Sequence, residues 1–308
     1  MIEREYASAP MLGLPIAATH IPHFLAEGPT WDPVRKRLLW VDIMAGLVYQ
    51  GRFTDEGAIE VEQAVQFPDT AGAVAVSRSG EWLVAGEHRL YSRSVDGEIV
   101  PGLKLIADPD RRFNDGKPDP AGRFVVGTKG PGGEMLLQIN AEGTPAVLDD
   151  DLGLSNGLAW AEDGSALYSV DTLGRCIHVR DYDPATGEAG ERRKFCEVPQ
   201  GYPDGMTIDS EGHLWVALWG EGCVIRIAPD CTIVGRVDVP APHTSCPTFA
   251  GPDLDTLVIT TATEGMAPED IAAYPLSGRL FTVKTGHRGI DPNLWAGTPT
   301  ALSLEETA

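Results

Sequence analysis

The stretch Tyr202-Pro203-Asp204-Gly205-Met206-Thr207-Ile208 places a carboxylate directly before a glycine and an apolar run. The same arrangement recurs at Ala26-Glu27-Gly28-Pro29-Thr30-Trp31, at Asn114-Asp115-Gly116-Lys117-Pro118-Asp119 and at Ser155-Asn156-Gly157-Leu158-Ala159-Trp160. In each copy a side chain that carries an oxygen atom stands immediately before the glycine. Asn-Gly and Asp-Gly are also the commonest hairpin-turn dipeptides, so a single copy by itself predicts only a turn.

The copies belong to a longer repeat. The glycines at positions 28, 72, 116, 157 and 205 are separated by 44, 44, 41 and 48 residues, and one further step reaches Cys246-Pro247-Thr248-Phe249. Self-similarity at this period is typical of solenoids and propellers.

Each repeat contains short segments rich in Val, Ile, Leu, Tyr and Trp and bounded by Gly, Pro, Asp and Asn, which predict three or four strands. The outermost strands are predicted at residues 61–65, 104–107, 146–149, 194–198 and 233–239. No helical period persists for three turns. Six such units predict an all-β, six-bladed β-propeller, with a pair of β-sandwiches as the alternative.

The domain organisation follows from the same repeat. We expect one propeller domain over residues 1–308, with an irregular lead at 1–15 and an irregular tail from about 287. Residues 16–25 are expected to supply a strand that closes the ring with the last blade.

Composition narrows the class of protein. The 308 residues are 43% hydrophobic and carry a formal net charge of −21, which argues against binding to nucleic acid or to an anionic membrane. The five cysteines show no metal or redox spacing and are interpreted as free thiols. No stretch resembles a signal peptide or a transmembrane helix. We expect a cytoplasmic protein, either a monomer or a small homo-oligomer.

The position of the polar residues in the repeat indicates a metal site. The first strand of each propeller blade lines the central channel, so Glu27, Asp115, Asn156 and Asp204 are expected to meet at one mouth. With no Lys or Arg at that level these groups would repel one another, and a bound cation removes the penalty. Oxygen ligands suit Ca²⁺, Mg²⁺ or Mn²⁺ better than a structural zinc. So few protein ligands leave room for water and substrate, as in a catalytic centre.

Six of the seven tryptophans divide into two groups. Five recur within predicted strands and are expected to pack between blades: Trp31, Trp40, Trp82, Trp160 and Trp215. Trp219 follows the end of a predicted strand, so it is a candidate to overlie the mouth of the channel instead of packing between blades.

Several long motifs in order make the chain resemble the SMP-30/gluconolactonase family, the group that contains regucalcin and sugar lactonases. They run from about residue 25 to 285: Glu27-Gly28-Pro29-Thr30-Trp31, Leu39-Trp40-Val41-Asp42-Ile43, Arg112-Phe113-Asn114-Asp115-Gly116-Lys117-Pro118-Asp119, Ser155-Asn156-Gly157-Leu158-Ala159-Trp160, Pro203-Asp204-Gly205-Met206 and Thr244-Ser245-Cys246-Pro247-Thr248-Phe249.

The resemblance implies a six-bladed propeller with one divalent ion bound by Glu27, Asn156 and Asp204. It also implies that Arg112 and Asn114 reach the substrate and that Asp204 is the general base. Ca²⁺ is the first expectation for the ion, with Zn²⁺, Mn²⁺, Mg²⁺ and Fe²⁺ as alternatives.

At two positions the roles that the resemblance implies cannot be assigned directly to this sequence. Family members often carry an acidic residue shortly after the position of Gly127-Thr128, where this chain reads Lys129-Gly130-Pro131-Gly132-Gly133-Glu134. Either Glu134 contacts the substrate or no residue takes that role. Asp115 lies at ligand level by the repeat and is a candidate to act through a bridging water.

The predicted reaction is hydrolysis of a sugar lactone, an aldonolactone such as a glucono- or pentonolactone, to the aldonic acid. Two alternatives remain open: hydrolysis of a phosphotriester or another ester at the same metal site, and a non-catalytic calcium-binding propeller.

Overall fold

The computed structural model describes residues 5–140 and 143–297. Within these residues the strands form six four-stranded antiparallel sheets. The innermost strands contact one another in chain order, from the first sheet to the sixth and back to the first. The chain is therefore an all-β, six-bladed propeller, as the repeat predicts.

Blades are described from the innermost strand outward. A 3₁₀ turn (Glu5–Ser8) and β1 (Ile16–Ala17) precede the first blade. Blade one contains β2 (Ala26–Asp32), β3 (Arg37–Asp42), β4 (Leu47–Phe53) and β5 (Ile59–Gln66). Blade two contains β6 (Ala73–Val76), β7 (Trp82–Ala85), β8 (Arg89–Arg93) and β9 (Ile99–Lys104). Blade three contains β10 (Arg112–Pro118), β11 (Phe124–Lys129), β12 (Glu134–Ile139) and β13 (Pro145–Leu152).

Blade four contains β14 (Ser155–Trp160), β15 (Ala166–Asp171), β16 (Cys176–Asp181) and β17 (Arg193–Glu197). Blade five contains β18 (Tyr202–Ile208), β19 (Leu214–Trp219), β20 (Cys223–Ile227) and β21 (Ile233–Asp238). Blade six contains β22 (Thr244–Ala250), β23 (Thr256–Thr261) and β24 (Phe281–Lys284), with the short helix α1 (Pro268–Ala273) between the last two strands.

The ring is closed by the N-terminal strand. β1 pairs antiparallel with β24, with Ile16 opposite Thr282 and Ala17 opposite Phe281. The sixth blade thus takes its outermost strand from the start of the chain, where the sequence predicts it, so residues from both ends of the chain hold the ring together.

One outer strand differs from its prediction. Blade two ends with Ile99–Lys104 and not with residues 104–107. Leu105 and Ile106 donate their backbone amides to the carbonyl of His88, and the Ile106 side chain is buried. The apolar run at 105–106 therefore marks a core contact beyond the strand and not the strand itself.

Core side chains lie between neighbouring blades. Both faces of the inner strands are covered, so β14, β6 and β23 are buried at every residue, whereas the outer strand β5 alternates between buried or half-buried and exposed residues. All five tryptophans predicted to pack between blades are buried: Trp31, Trp40, Trp82, Trp160 and Trp215. The five cysteines form no disulfide in the described residues.

Asp209 holds the turn of the fifth blade together. Its fully buried carboxylate accepts hydrogen bonds from the backbone amides of Glu211 and His213 at 3.0 and 2.9 Å. It also accepts from Trp215 Nε1 at 2.9 Å and from Arg226 Nε at 2.8 Å. Four donors satisfy both oxygens, so this buried ion pair is fully compensated.

The C-terminal segment crosses the end of the channel formed by the C-terminal ends of the inner strands. Gly289 forms a bridge with Asp209, and Trp295 forms one with Ser77. Asn293 Nδ2 donates to the carbonyl of Pro118 at 3.2 Å. The described part of this tail, up to residue 297, contains no regular helix or strand after β24. Among the described residues, no helix has the length and apolar character needed to span a membrane.

Candidate functional site

A cavity of about 290 Å³ opens at the N-terminal ends of the inner strands. Its floor carries Glu27 from blade one, Asn114 from blade three, Asn156 from blade four and Asp204 from blade five. These side chains are no more than 6% exposed. Of the four residues that the repeat predicts at one mouth of the channel, Glu27, Asn156 and Asp204 line this cavity, whereas Asp115 does not.

Each of these side chains lies at an irregularity in its strand. The register between the first and second strands shifts between Glu27 and Thr30, between Phe113 and Gly116, between Asn156 and Leu158, and between Pro203 and Met206. An extra residue in one strand of an antiparallel pair is a β-bulge, and bulges re-aim side chains next to functional sites. The polar residues therefore lie inside the innermost strands.

Three of the repeat glycines are required by close approach between blades. A Cβ atom on Gly157 would lie 2.5 Å from the backbone oxygen of Asp204, and one on Gly72 would lie 2.7 Å from that of Asn114. A Cβ atom on Gly205 would collide with Cys246. Of the glycines in the four copies only Gly28 has a positive φ, of 51°. Gly157 and Gly205 thus allow close approach of the next inner strand, whereas a Cβ atom on Gly116 would meet β11 of its own blade and one on Gly28 would come no closer than 3.9 Å to Ala73.

Asn156 and Asp204 are joined by a hydrogen bond. Asn156 Nδ2 donates to Asp204 Oδ1 and also to Thr172 Oγ1 at 3.2 Å. Thr172 Oγ1 in turn donates to the carbonyl of Pro203 at 2.8 Å. Glu27 Oε2 accepts from the amide of Gly28 at 2.9 Å. These contacts fix the orientation of Asn156 and leave its Oδ1 buried without a partner in the described residues.

The carboxylates of the floor raise one another's proton affinity. Burial, followed by the charges of Asp204 and Asp115, raises the pKa of Glu27 well above its ordinary value. Burial and the charge of Asp115 raise the pKa of Asp204 to about 8, against the opposing effects of Lys129 and of the hydrogen bond from Asn156. Burial likewise raises the pKa of Asp115. In the absence of a cation, the site therefore favours protonated carboxyl groups.

The donor set fits a hard divalent cation. Two carboxylates and an amide oxygen converge, and the unpartnered Oδ1 of Asn156 is a buried acceptor that a cation would satisfy. The described residues contain no group of three His, Cys, Asp or Glu side chains placed to hold a metal ion. A cation at this floor would therefore need the amide oxygen as one of its ligands, and such a donor set favours oxygen-seeking ions over a structural zinc.

The family model described as the SMP-30/Gluconolactonase/LRE-like region matches residues 25–263. The chain belongs to this family. Among its curated relatives, the pentonolactonase XacC of Haloferax volcanii is 36% identical over 273 residues, covering 86% of this chain and 92% of the relative. The 6-deoxy-6-sulfogluconolactonase of Pseudomonas putida is 32% identical and covers 90% of this chain and 96% of the relative.

Solved structures of the family share the architecture. The crystal structure of a calcium-binding protein, regucalcin, from Agrobacterium tumefaciens superposes with a TM-score of 0.85 at 29% identity, covering 93% of this chain and 98% of that one. The family resemblance noted from the motifs is thus confirmed for most of the chain.

In this SMP-30/gluconolactonase chain, Arg112 and Asn114 are coupled on the wall of the cavity. Arg112 Nη1 donates to Asn114 Oδ1 at 2.9 Å and to the carbonyl of Phe113 at 2.8 Å. Asn114 Nδ2 donates to the carbonyl of Ser155 at 3.1 Å. Both side chains line the cavity, and among the described residues only Nη1 of the Arg112 guanidinium group donates a hydrogen bond.

Asp115 lies beneath the cavity floor. Both of its carboxylate oxygens are buried without a hydrogen-bond partner in the described residues, although the amide of Gly116 lies near enough to oppose the rise in its pKa. Its charge acts on Glu27 and Asp204, but it is not part of the cavity wall. This position is compatible with a bridging water and does not bring Asp115 against a ligand in the cavity.

Glu134 is held away from the cavity. Its carboxylate accepts from Arg111 Nη1 at 2.8 Å, from Thr128 Oγ1 at 2.7 Å and from the amide of Gly132 at 3.0 Å. The side chain is fully buried in this network. The possibility that Glu134 contacts substrate is therefore not supported by its position, since its oxygens are already engaged in holding the loop.

The expectation that no Lys or Arg lies near the ligand level is wrong. Lys117 Nζ donates to the carbonyl of Met206 at 2.5 Å and lowers the pKa of Glu27 and of Asp115 from beneath. Lys129 lines the cavity above. The carboxyl pKa values remain raised despite these charges because burial is the larger effect.

Sequence reasoning missed part of the cavity wall. The missed polar and aromatic residues are Lys129, Thr172, Tyr202 and Glu264. They lie at strand ends and in loops outside the repeat position, so the repeat does not mark them. Glu264 belongs to an acid-glycine pair, but this pair follows the second strand of blade six and does not precede the first. Trp219 does line the cavity, stacked on His243 with 4.3 Å between ring centroids.

Proposed function

We propose that this protein hydrolyses a sugar lactone, an aldonolactone such as a glucono- or pentonolactone, to the corresponding aldonic acid, with the help of one divalent ion. The observation that carries the proposal is the convergence of Glu27, Asn156 and Asp204 at the floor of the cavity. Relatives named pentonolactonase and 6-deoxy-6-sulfogluconolactonase support the class of reaction. The cavity of about 290 Å³ lies at the small end of ligand pockets, which suits a single sugar ring.

Glu27, Asn156 and Asp204 would hold the ion. Ca²⁺ is the first candidate because the donors are hard oxygens and because the similar structure from Agrobacterium tumefaciens is described as calcium-binding. Zn²⁺, Mn²⁺, Mg²⁺ and Fe²⁺ are the alternatives. When bound, a divalent ion supplies Lewis-acid stabilisation to a lactone carbonyl oxygen.

Asp204 is the candidate general base, because its buried carboxylate lies at the cavity floor beside the ion site. Burial raises its pKa to about 8 without a cation, and a bound divalent ion would lower this pKa and keep the carboxylate in the ionised form that accepts a proton. Asp204 takes a proton from the water that adds to the lactone carbonyl carbon. The bond between that carbon and the ring oxygen then breaks, and the ring oxygen leaves as a hydroxyl group after receiving that proton from the Asp204 carboxyl group.

The walls of the cavity orient the substrate. Arg112 presents a planar set of donors to ring hydroxyls, and Asn114 fixes the position of Arg112 through its Oδ1. Apolar side chains of Leu25, Ile43 and Leu154 cover the rest of the wall and limit the access of bulk water. Fixed donors of this kind lower the entropy cost of reaching the reactive geometry.

A side-by-side rate measurement tests the proposal. Hydrolysis of glucono-1,5-lactone, xylono-1,4-lactone and a fluorophosphate would be followed with added Ca²⁺ and after treatment with EDTA. We expect lactone hydrolysis that EDTA abolishes and that divalent ions restore. Faster turnover of the fluorophosphate would favour the phosphotriesterase alternative, and lactone hydrolysis that is insensitive to EDTA would contradict the metal-dependent mechanism.

A further inference from the structure

Two cationic side chains stand next to each other on the wall of blade three. Arg112 on β10 and Lys129 on β11 are directly paired in the antiparallel register. Directly opposite residues share one face of the sheet with Cβ atoms about 4.5–5.5 Å apart, and like charges in this relation are destabilising. Both side chains line the cavity. The pair therefore costs stability unless an anion lies between or above the two groups.

Within the described residues neither cation forms a salt bridge, although the charges of Glu264, Glu27 and Glu87 favour the charged form of Arg112 from a distance. Arg112 Nη1 donates to two neutral acceptors, Phe113 O and Asn114 Oδ1. The Lys129 ammonium group has no hydrogen-bond acceptor among the described residues. The adjacent Arg111, in contrast, is paired with Glu134 at 2.8 Å. Of the three cations at this end of blade three, Arg111, Arg112 and Lys129, only Arg111 therefore forms a salt bridge among the described residues.

The acidic groups of the cavity lie elsewhere. Glu264 lines the wall from blade six, which is opposite blade three in the ring. Glu27 and Asp204 form the floor. The cavity is consequently polarised, with a positive wall at blade three and a negative wall at blade six. A ligand that carries one negative substituent would meet a favourable charge at only one of these walls.

We propose that Arg112 and Lys129 bind an anionic substituent of the substrate, so that the preferred lactone carries a carboxylate, sulfonate or phosphate group remote from its ring carbonyl. The proposal rests on the proposed function and adds the charge class of its substrate. Arg112 offers a fork of donors matched to such groups, and Lys129 adds a point charge. Glu264 on the opposite wall accepts hydroxyl donors from the other end of the sugar.

Matched pairs of lactones isolate the substituent. D-glucaro-1,4-lactone differs from D-glucono-1,4-lactone by a carboxylate in place of a hydroxymethyl group, and 6-phosphoglucono-1,5-lactone differs from glucono-1,5-lactone by its phosphate. We expect a higher kcat/KM for the anionic member of at least one pair. A charge-assisted contact of ordinary strength corresponds to a preference of about tenfold to hundredfold. Equal or faster hydrolysis of the neutral member in both pairs would overturn the proposal.

Lys129→Met removes the charge and keeps most of the side-chain volume. The ratio of kcat/KM values within each pair is the readout, because any effect of Lys129 on Asp204 acts on both members. The ratio should fall by about tenfold or more in Lys129→Met and should be retained in Lys129→Arg. Lys104→Met is the matched control, since Lys104 is exposed on the outermost strand of blade two and the variant should keep the wild-type ratio. An equal loss on both members of a pair would assign Lys129 a structural role.

Binding separates this proposal from the function on which it rests. The affinity for D-glucarate, the product of the anionic lactone, would be measured by calorimetry for the wild type, Lys129→Met and Lys104→Met, each checked for folding by its melting temperature. Weaker binding of D-glucarate to Lys129→Met alone supports the anion site even if no lactone is hydrolysed. Hydrolysis of neutral lactones together with unchanged D-glucarate binding would leave the lactonase proposal standing and would refute the anion site.

Discussion

Asn156 donates its side-chain amide to the carboxylate of Asp204, while its own buried oxygen Oδ1 has no partner in the described residues. The Nδ2 group of the amide thus has partners within the protein, whereas its Oδ1 atom is left for a ligand. Because an unsatisfied buried acceptor costs about 1–3 kcal/mol, it is retained where something binds to it. The same pair contains the residue to which we assign the base, so ligand binding and proton transfer are joined at one contact.

Replacement of Asp204 should remove activity more completely than the loss of a base alone. General-base loss costs about 10²–10⁴-fold in rate, and Asp204→Asn would also remove one carboxylate from the ion site. We expect kcat for lactone hydrolysis to fall by at least this range. Steady-state kinetics with saturating Ca²⁺ provides the measurement. Near-normal kcat in Asp204→Asn with an ion still bound would show that another group is the base.

The stability of the metal-free protein should depend on pH through Asp204. Its folded-state pKa, about 8, lies above the value of about 3.9 in unfolded chains. The folded state therefore binds this proton more tightly, so the contribution to stability is complete below about pH 4 and is lost as pH rises through about 8. Glu27, whose pKa is also raised, acts in the same direction.

The measurement compares the free energy of unfolding of the wild type and Asp204→Asn in EDTA from pH 5 to pH 9. The wild type should lose stability relative to the variant by up to about 1.4 kcal/mol per pH unit below pH 8. Buried histidines with lowered pKa values act in the opposite direction, but they are present in both proteins and cancel. A difference that does not change with pH would mean that Asp204 titrates normally.

Asp209 should matter for stability and not for the choice of substrate. Asp209→Ala would leave the buried Arg226 with Glu211 as its remaining carboxylate partner and would free two backbone amides and Trp215 Nε1. Breaking a buried ion pair in this way costs about 3–5 kcal/mol. Urea unfolding measures the loss, and the exposed Glu56→Ala is the control, with an expected change within about 0.5 kcal/mol. A loss below 1 kcal/mol for Asp209→Ala would show that water replaces the network.

Gly157→Ala should disturb the site through the backbone. The added Cβ would stand 2.5 Å from the backbone oxygen of Asp204, so strand β18 would have to move. Overpacking of this kind costs about 1–3 kcal/mol, and we expect weaker binding of Ca²⁺ as well. Gly190→Ala is the matched control, because its Cβ would meet only ordinary contacts from 3.4 Å outward. Unchanged calcium affinity in Gly157→Ala would mean that the spacing of β14 and β18 does not set the geometry of the site.

The repeat predicted the fold, and it also predicted that Glu27, Asn156 and Asp204 lie close together. Equal positions in successive blades must stand at equal heights around a ring, so no contact had to be known in advance. The residues that the repeat does not mark were missed: Lys129 and Glu264 reach the cavity from a strand end and from a loop. Glu134 could not be placed from sequence, because its engagement by Arg111 and Thr128 depends on the path of the loop.

The glycines were identified correctly and explained wrongly. An acid-glycine pair reads as a turn, but Gly157 and Gly205 lie within strands, where a missing Cβ admits the backbone of the next blade. The bulges at Asn156 and Asp204 were likewise invisible, since register shifts depend on the partner strand. Hydrophobic patterns report burial, and they do not report which strand face a bulge presents.

The central claim is that Glu27, Asn156 and Asp204 hold one divalent ion, and calorimetric titration of the EDTA-treated protein with Ca²⁺ tests it most directly. We predict one ion per chain for the wild type and for the control Glu134→Gln, whose carboxylate lies outside the cavity. Affinity should fall by more than about 100-fold in Glu27→Gln, Asn156→Ala and Asp204→Asn, beyond the loss typical of residues that only support a ligand. Unchanged stoichiometry and affinity in these three variants would contradict the account.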